Sequence, residues 1–172
     1  PIDKVALDET MRADFAGLVQ NLLPNAEYQF STTSVGALRA CKDDGEYRVL
    51  KKNARIADQA MQAAFKAIKP EMREVDIQQV INNSFVDQGA VPLFGIVGAG
   101  GNAAFPHHQT GTTTLQVGDP VLMDIGATID GYSSDITRMA VIGDAPEGFE
   151  ECHAIVDNAL KAALSVARPG IS

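Results

Sequence analysis

The stretch Asp124-Ile-Gly-Ala-Thr-Ile-Asp130-Gly131-Tyr-Ser-Ser-Asp135-Ile-Thr-Arg138 constrains this chain more than any other. Two runs rich in apolar and β-branched residues, predicted as strands over 121–127 and 132–142, flank Asp130-Gly131, a dipeptide suited to a two-residue hairpin turn. Such a turn sets the register. It places Asp124 opposite Thr137 and Asp135 opposite Gly126, with all four on one face. The two aspartates are then diagonal neighbours, with backbones ~7–8 Å apart. Carboxylates reaching toward each other across that gap leave room for one or two cations, and hard divalent ions favour oxygen ligands. Asp124 ends the apolar run Pro120-Val-Leu-Met, where a carboxylate without a partner is costly. Arg138 is a candidate partner, but its parity points it to the opposite face. From the spacing alone, a hairpin with an ion pair and turn-favouring aspartates fits as well as a metal site. Asp130 is only a turn residue.

Around this hairpin the chain alternates between helical and extended patterns. Residues 4–8 read as a strand, 10–23 as a helix carrying Met11, Phe15, Leu18, Val19 and Leu22, and Tyr28 and Phe30 as part of a strand. This β-α-β run is expected to be a separate unit of about forty residues. A long helix is predicted over 45–68, with an apolar stripe of Tyr47, Leu50, Ala54, Ala57, Met61, Phe65 and Ile68. Pro70 ends it, and a further helix over 75–85 presents Ile77, Val80, Ile81 and Phe85. The segment 91–143 is rich in glycine, β-branched residues and turns. A last helix over 147–167 is expected to bury Phe149, Ile155, Val156, Leu160, Ala163 and Leu164, and it stops at Pro169-Gly170. The expected fold class is α+β, with helices covering one face of an antiparallel sheet. A strand starting so near the first residue, and a chain ending just after a helix stop, fit an excised piece of a longer protein.

Composition removes several function classes. The 172 residues are 45% hydrophobic and 21% charged, the balance of a globular chain rather than a disordered one. A formal net charge of −8 argues against a phosphate-tracking surface, so no nucleic-acid partner is expected. No run approaches the ~20 apolar residues of a membrane span, and no signal-peptide pattern opens the chain. Cys41 and Cys152 match no metal or redox spacing, so a reducing cytoplasm is expected.

A second element with chemical content is Gly98-Ala-Gly-Gly-Asn-Ala-Ala-Phe-Pro106-His107-His108. Its glycines match neither the dinucleotide fingerprint nor the P-loop, and no helix is expected there. Adjacent histidines on an extended segment point to opposite sides, so at most one of His107 and His108 serves a site. Either alone is more often a surface or hydrogen-bonded residue than a catalyst. Cys152 and His153 are neighbours, but no third member of a nucleophilic triad presents itself.

Taken together, Asn102-Ala-Ala-Phe-Pro-His107, Gly118-Asp-Pro-Val-Leu-Met-Asp124-Ile-Gly-Ala and Gly131-Tyr-Ser-Ser-Asp135-Ile-Thr-Arg138 resemble the pita-bread metallopeptidases. The branch they are most similar to is that of the Xaa-Pro aminopeptidases and Xaa-Pro dipeptidases, or prolidases. Leu38-Arg-Ala-Cys-Lys-Asp-Asp-Gly-Glu46 resembles the family's linker into the catalytic domain. The resemblance implies that residues 1–40 are the tail of an amino-terminal domain and that 41–172 are the first half of the pita-bread catalytic domain. It further implies that Asp124 binds one ion of a dinuclear site and that Asp135 bridges both. His107 would be the catalytic histidine that hydrogen-bonds the substrate or the tetrahedral intermediate. The expected cofactors are two divalent ions, manganese or cobalt, which lower the pKa of a bound water and polarise the scissile carbonyl. The implied partner is a peptide or dipeptide with proline at its second position, and a homodimer is the family's common state.

The resemblance also implies what is missing. The family uses a further histidine and two glutamates as metal ligands, from a carboxy-terminal half related to the first by pseudo-twofold symmetry. Glu147, Glu150 and Glu151, the only glutamates after Asp135, lie in the wrong context. The 172 residues alone are therefore expected to be inactive and to hold metal weakly. Methionine aminopeptidase fits less well, since its hairpin usually lacks Asp-Ile-Gly and the Ile-Thr-Arg ending. A catalytically dead binding module on the same fold, or a metal-free creatinase-like enzyme, stays open. Keeping Asp124, Asp135 and His107 together speaks against both, because two facing carboxylates without a metal repel each other.

Overall fold

A helix between two strands can supply the crossover that a parallel pair needs. The first forty residues do this. A computed structural model describes residues 1–171, in two compact units divided in sequence between Arg48 and Val49. In the first unit β1 (Lys4–Leu7) pairs parallel with β2 (Glu27–Phe30), and α1 (Ala13–Leu22) joins them. Tyr28 holds the end of α1, its hydroxyl lying 2.9 Å from the Leu23 carbonyl and 3.2 Å from that of Val19. The short α2 (Val35–Ala40) follows. Among the described residues of this unit only Leu7 is a buried hydrophobic side chain.

The second unit is organised by α3 (Asp44–Ala67), which begins before the division and runs on past it, and by α4 (Glu74–Asp87). Asp76 in the first turn of α4 accepts the Arg73 backbone N–H at 2.9 Å and the Arg73 guanidinium at 2.7 Å. These hydrogen bonds satisfy a donor at the helix start. They also hold the Asp76 carboxyl at about 2, well below the usual aspartate value. The chain then enters β3 (Val91–Ala99), β4 (Pro120–Ile129), β5 (Tyr132–Ser133) and β6 (Ile136–Val141). β4 is central, antiparallel to β3 on one side and to β5 and β6 on the other. The turn at Asp130-Gly131 has positive φ at both residues, 52° and 81°, as the dipeptide predicts.

Alternation along β4 decides which side becomes core. Val121, Met123, Ile125, Ala127 and Ile129 are buried in one cluster with Ile56, Ala57, Ala60, Met61 and Ala64 of α3 and Ile77, Ile81 and Phe85 of α4. The other face of β4 carries Leu122, Asp124 and Thr128, half-buried. The expectation of helices over one face of an antiparallel sheet is met.

Four local expectations need correction. The buried face of α3 is Asn53, Ile56, Ala57, Ala60, Met61 and Ala64, whereas Tyr47 and Phe65 of the predicted stripe are exposed. Small alanines allow the helix to approach the sheet closely, so the face is set by fit rather than by the largest apolar residues. The carboxy-terminal helix forms as α5 (Phe149–Val166), but none of its residues is buried, and Ile155, Val156, Leu160 and Leu164 are each more than half exposed. Helical spacing reveals an apolar stripe and says nothing about what covers it. Gly100–Ala104 forms a short 3-10 turn where no helix was expected. The second hairpin arm is two strands, interrupted at Ser134 and Asp135. No helix among the described residues is long and apolar enough to cross a membrane.

Candidate metal centre

The hairpin register matches the predicted one on both sides of the interruption. Thr128 faces Ser133, Ile125 faces Ile136, and Asp124 faces Thr137. Asp124 sits at the middle of β4, half-buried, with Ile96 of β3 on its other flank. Thr137 donates its hydroxyl to Asp124 Oδ1 at 2.9 Å, which fixes one carboxylate oxygen and leaves the other available. Arg138 stands opposite Met123, a core residue, so the ladder puts it on the face away from Asp124; it donates to the Thr137 carbonyl at 2.8 Å.

Asp135 is exposed and lies between β5 and β6. The backbone beside it departs from a regular ladder. Ser134 N–H donates to the Ala127 carbonyl at 2.8 Å, while the Ala127 N–H turns to the Ser134 hydroxyl at 3.2 Å. The Ser134 carbonyl leans over Gly126, so close that a side chain there would collide with it and with the Phe94 ring. Gly126 thus makes space for the crossing that carries Asp135. On the helix side, Asn53 pins the same hairpin by donating to the carbonyls of Ala127 (3.1 Å) and Tyr132 (2.8 Å).

His107 lies on the loop after β3. The Phe105 carbonyl accepts the His108 N–H at 3.2 Å, closing a turn with Pro106 and His107 at its centre, where the fixed φ of proline suits the first central position. His107 is exposed and lines a groove of 440 Å³ with Phe94, Ile96 and Gln78. Its neighbour His108 borders the same groove but also reaches Glu74. His108 Nε2 lies 2.9 Å from Glu74 Oε2, and Glu74 is fully buried. Glu74 Oε1 accepts from Ala99 N–H (2.9 Å) and Asn102 Nδ2 (2.8 Å), and Oε2 also accepts from Gly111 N–H (2.9 Å). Burial pushes the Glu74 carboxyl up, but the hydrogen bonds from His108, Asn102, Ala99 and Gly111 outweigh it and hold the carboxyl below its ordinary value.

Asp124 on β4 and Asp135 in the break between β5 and β6 are both carboxylates, a donor type that suits a hard divalent cation in kind. It does not suffice in number: among the described residues no three His, Cys, Asp or Glu side chains come together as a metal-holding group. Sequence reasoning missed Glu74, His108 and Asn53 as organisers of this region. A lone acid in the first turn of a helix reads as a partner of the helix dipole, and nothing in its spacing points to a loop some thirty residues on.

The comparisons with known proteins agree with this architecture. Residues 48–172 match the model of metallopeptidase family M24. The chain is 31% identical over 161 residues to an Xaa-Pro dipeptidase of Pyrococcus horikoshii, covering 91% of this chain and 46% of that protein. Among solved structures, it superposes with a TM-score of 0.92 on the dipeptidase PepE of Mycobacterium ulcerans, at 30% identity, covering 98% of this chain and 46% of that one. For the prolidase of Pyrococcus furiosus the TM-score is 0.86 at 29% identity, over 99% of this chain and 51% of that one. The chain spans less than half the length of the curated relatives it matches. Its sheet, its helical layer and the family model extending from α3 through α5 fit together in one assignment: the chain belongs to metallopeptidase family M24 and has the pita-bread architecture over about half of that fold.

Proposed function

We propose that this chain supplies the first half of the catalytic domain of a dinuclear-metal exopeptidase that hydrolyses amino-terminal Xaa-Pro peptide bonds. The observation that carries the reading is the register that sets Asp124 against Thr137, two residues beyond Asp135 in the same hairpin, in a chain similar to an Xaa-Pro dipeptidase and a prolidase. Asp124 and Asp135 would hold the ions, manganese or cobalt. When bound, the ions supply a water of lowered pKa and a Lewis acid for the scissile carbonyl. Thr137 orients the Asp124 carboxylate through the hydroxyl it donates. His107, at the tip of its turn, donates a hydrogen bond to the oxygen on which charge develops as the carbonyl is attacked. Residues 1–40 act as the end of an amino-terminal domain. Two exposed free thiols, Cys41 and Cys152, fit a reducing cytoplasm, and the functional form is a homodimer.

The test is a complementation of ligands. The 172 residues alone, supplied with Mn²⁺ or Co²⁺, are expected to leave Xaa-Pro dipeptides intact and to take up the ions weakly. Joined to a carboxy-terminal half such as its relatives carry, the chain should cleave, and Asp135→Ala in that longer protein should abolish cleavage. Tight stoichiometric uptake of two ions by the 172-residue monomer would overturn the reading.

A further inference from the structure

A fully buried carboxylate is expensive, and Glu74 lies at 0% exposure, the one charged side chain among the buried residues described. What it holds explains its presence. Its four hydrogen-bond partners are Ala99 N–H, Asn102 Nδ2, His108 Nε2 and Gly111 N–H, all from the single loop that runs over 99–111. Past Ala99, the last residue of β3 and the partner of Val121, the span has no strand pairing among the described residues. It is ordered by one acceptor group at the start of α4, reinforced where the Glu74 and Val75 N–H groups donate to the carbonyls of Thr113 and Gly111. A charged acceptor with every lone pair engaged rigidifies what surrounds it.

The same contact fixes the histidines. An ionised carboxylate only accepts, so His108 Nε2 carries a proton and donates it to Glu74 Oε2. His108 occupies the last position of the turn that opens at Phe105, and its ring is drawn inward, mostly buried. His107 at the preceding position is exposed and lines the groove with Phe94 and Ile96, a groove that His108 borders as well. Neither Glu74 nor His108 needs to touch a substrate for this effect.

We infer that Glu74, acting through His108, is a positioning residue for His107: the buried Glu74–His108 pair clamps the 99–111 loop and aims the His107 ring into its groove. The inference rests on the reading of His107 as the substrate-facing histidine, but its test uses neither substrate nor metal. In ring-selective NMR of the 172-residue chain, His108 is expected to show a slowly exchanging Nε2–H, and His107 a single set of ring signals displaced from free-histidine positions. His108→Ala should collapse the His107 signals toward free-histidine positions. His108→Gln, whose amide can donate from nearly the same point, should restore them. Glu74→Gln should act like His108→Ala; where it prevents folding, the two His108 variants decide alone. Unchanged His107 signals in His108→Ala, with only a lower melting temperature, would reduce the pair to a structural role and overturn the inference. Failure of His108→Gln to restore the signals would overturn it as well. Loss of Xaa-Pro cleavage as a reading would show separately, in an assay of the longer protein, with these spectra unaffected.

Discussion

Thr137 stands directly opposite Asp124 across the β4–β6 ladder and donates its hydroxyl to Asp124 Oδ1 at 2.9 Å. A carboxylate pinned at one oxygen loses little further freedom on meeting a cation, which is how groups behind a ligand tune its affinity. In a longer protein that carries the remaining ligands, Thr137→Val is expected to weaken Mn²⁺ binding by roughly 10–100-fold. Thr137→Ser, which keeps the donor, should stay within a few-fold of the original. Calorimetric titration of the three proteins checks both.

Gly126 is required by close approach rather than by backbone conformation. Gly126→Ala would drive a methyl group into the Ser134 carbonyl and the Phe94 ring. The expected cost is about 1–3 kcal/mol, the usual range for overpacking. Urea denaturation measures it, and amide exchange should quicken most around Ser134 and Asp135.

Asn53→Ala removes both side-chain hydrogen bonds to the hairpin, those to the carbonyls of Ala127 and Tyr132. The expected loss is about 0.5–1.5 kcal/mol for each hydrogen bond removed. Asn53→Leu should not recover it, because an apolar side chain fills space without donating. Chemical denaturation of the two variants separates lost volume from lost hydrogen bonds.

Glu74 gives the fold a dependence on acid. Its carboxyl is held below the ordinary value in the folded chain, against about 4.3 when unfolded. Its contribution is therefore complete above the unfolded value and is lost as the pH falls through the folded one, since the unfolded chain takes the proton first. Thermal melts from about pH 6 down to about pH 3 should show a steeper fall for the original chain than for Glu74→Gln. Equal slopes would mean that Glu74 has no part in acid sensitivity.

The uncovered stripe of α5 should make the isolated chain self-associate. Ile155, Val156, Leu160 and Leu164 lie open to water, and among the described residues β6 pairs only with β4, which leaves its outer edge unpaired. Sedimentation velocity of the 172-residue chain is expected to show concentration dependence, and Leu160→Lys with Leu164→Lys should reduce it. A clean monomer at every concentration would contradict this.

How much of this was legible in advance follows from the range over which each interaction acts. Asp130-Gly131 is a local signal, and the conformation it imposes set the register of β4 with β5 and β6, hence the placing of Asp124 opposite Thr137 and of Arg138 on the other face. Alternation along residues 121–129 likewise determined which side of the sheet is core, because a strand has only two sides. The helices α1, α3, α4 and α5 appeared within a few residues of their predicted limits, since caps and helix stops are also local. The sequence by itself could not say which face of α3 meets the sheet, or that α5 would find no cover, because both depend on the shape of a distant surface. Nor could it pair Glu74 with His108, or Asn53 with Ala127 and Tyr132. Those contacts join residues far apart in the chain, and their value arises only after folding has removed water from around them. The hairpin was determined by neighbours in sequence; the loop that aims His107 was decided by a buried charge whose partners only the tertiary structure brings together.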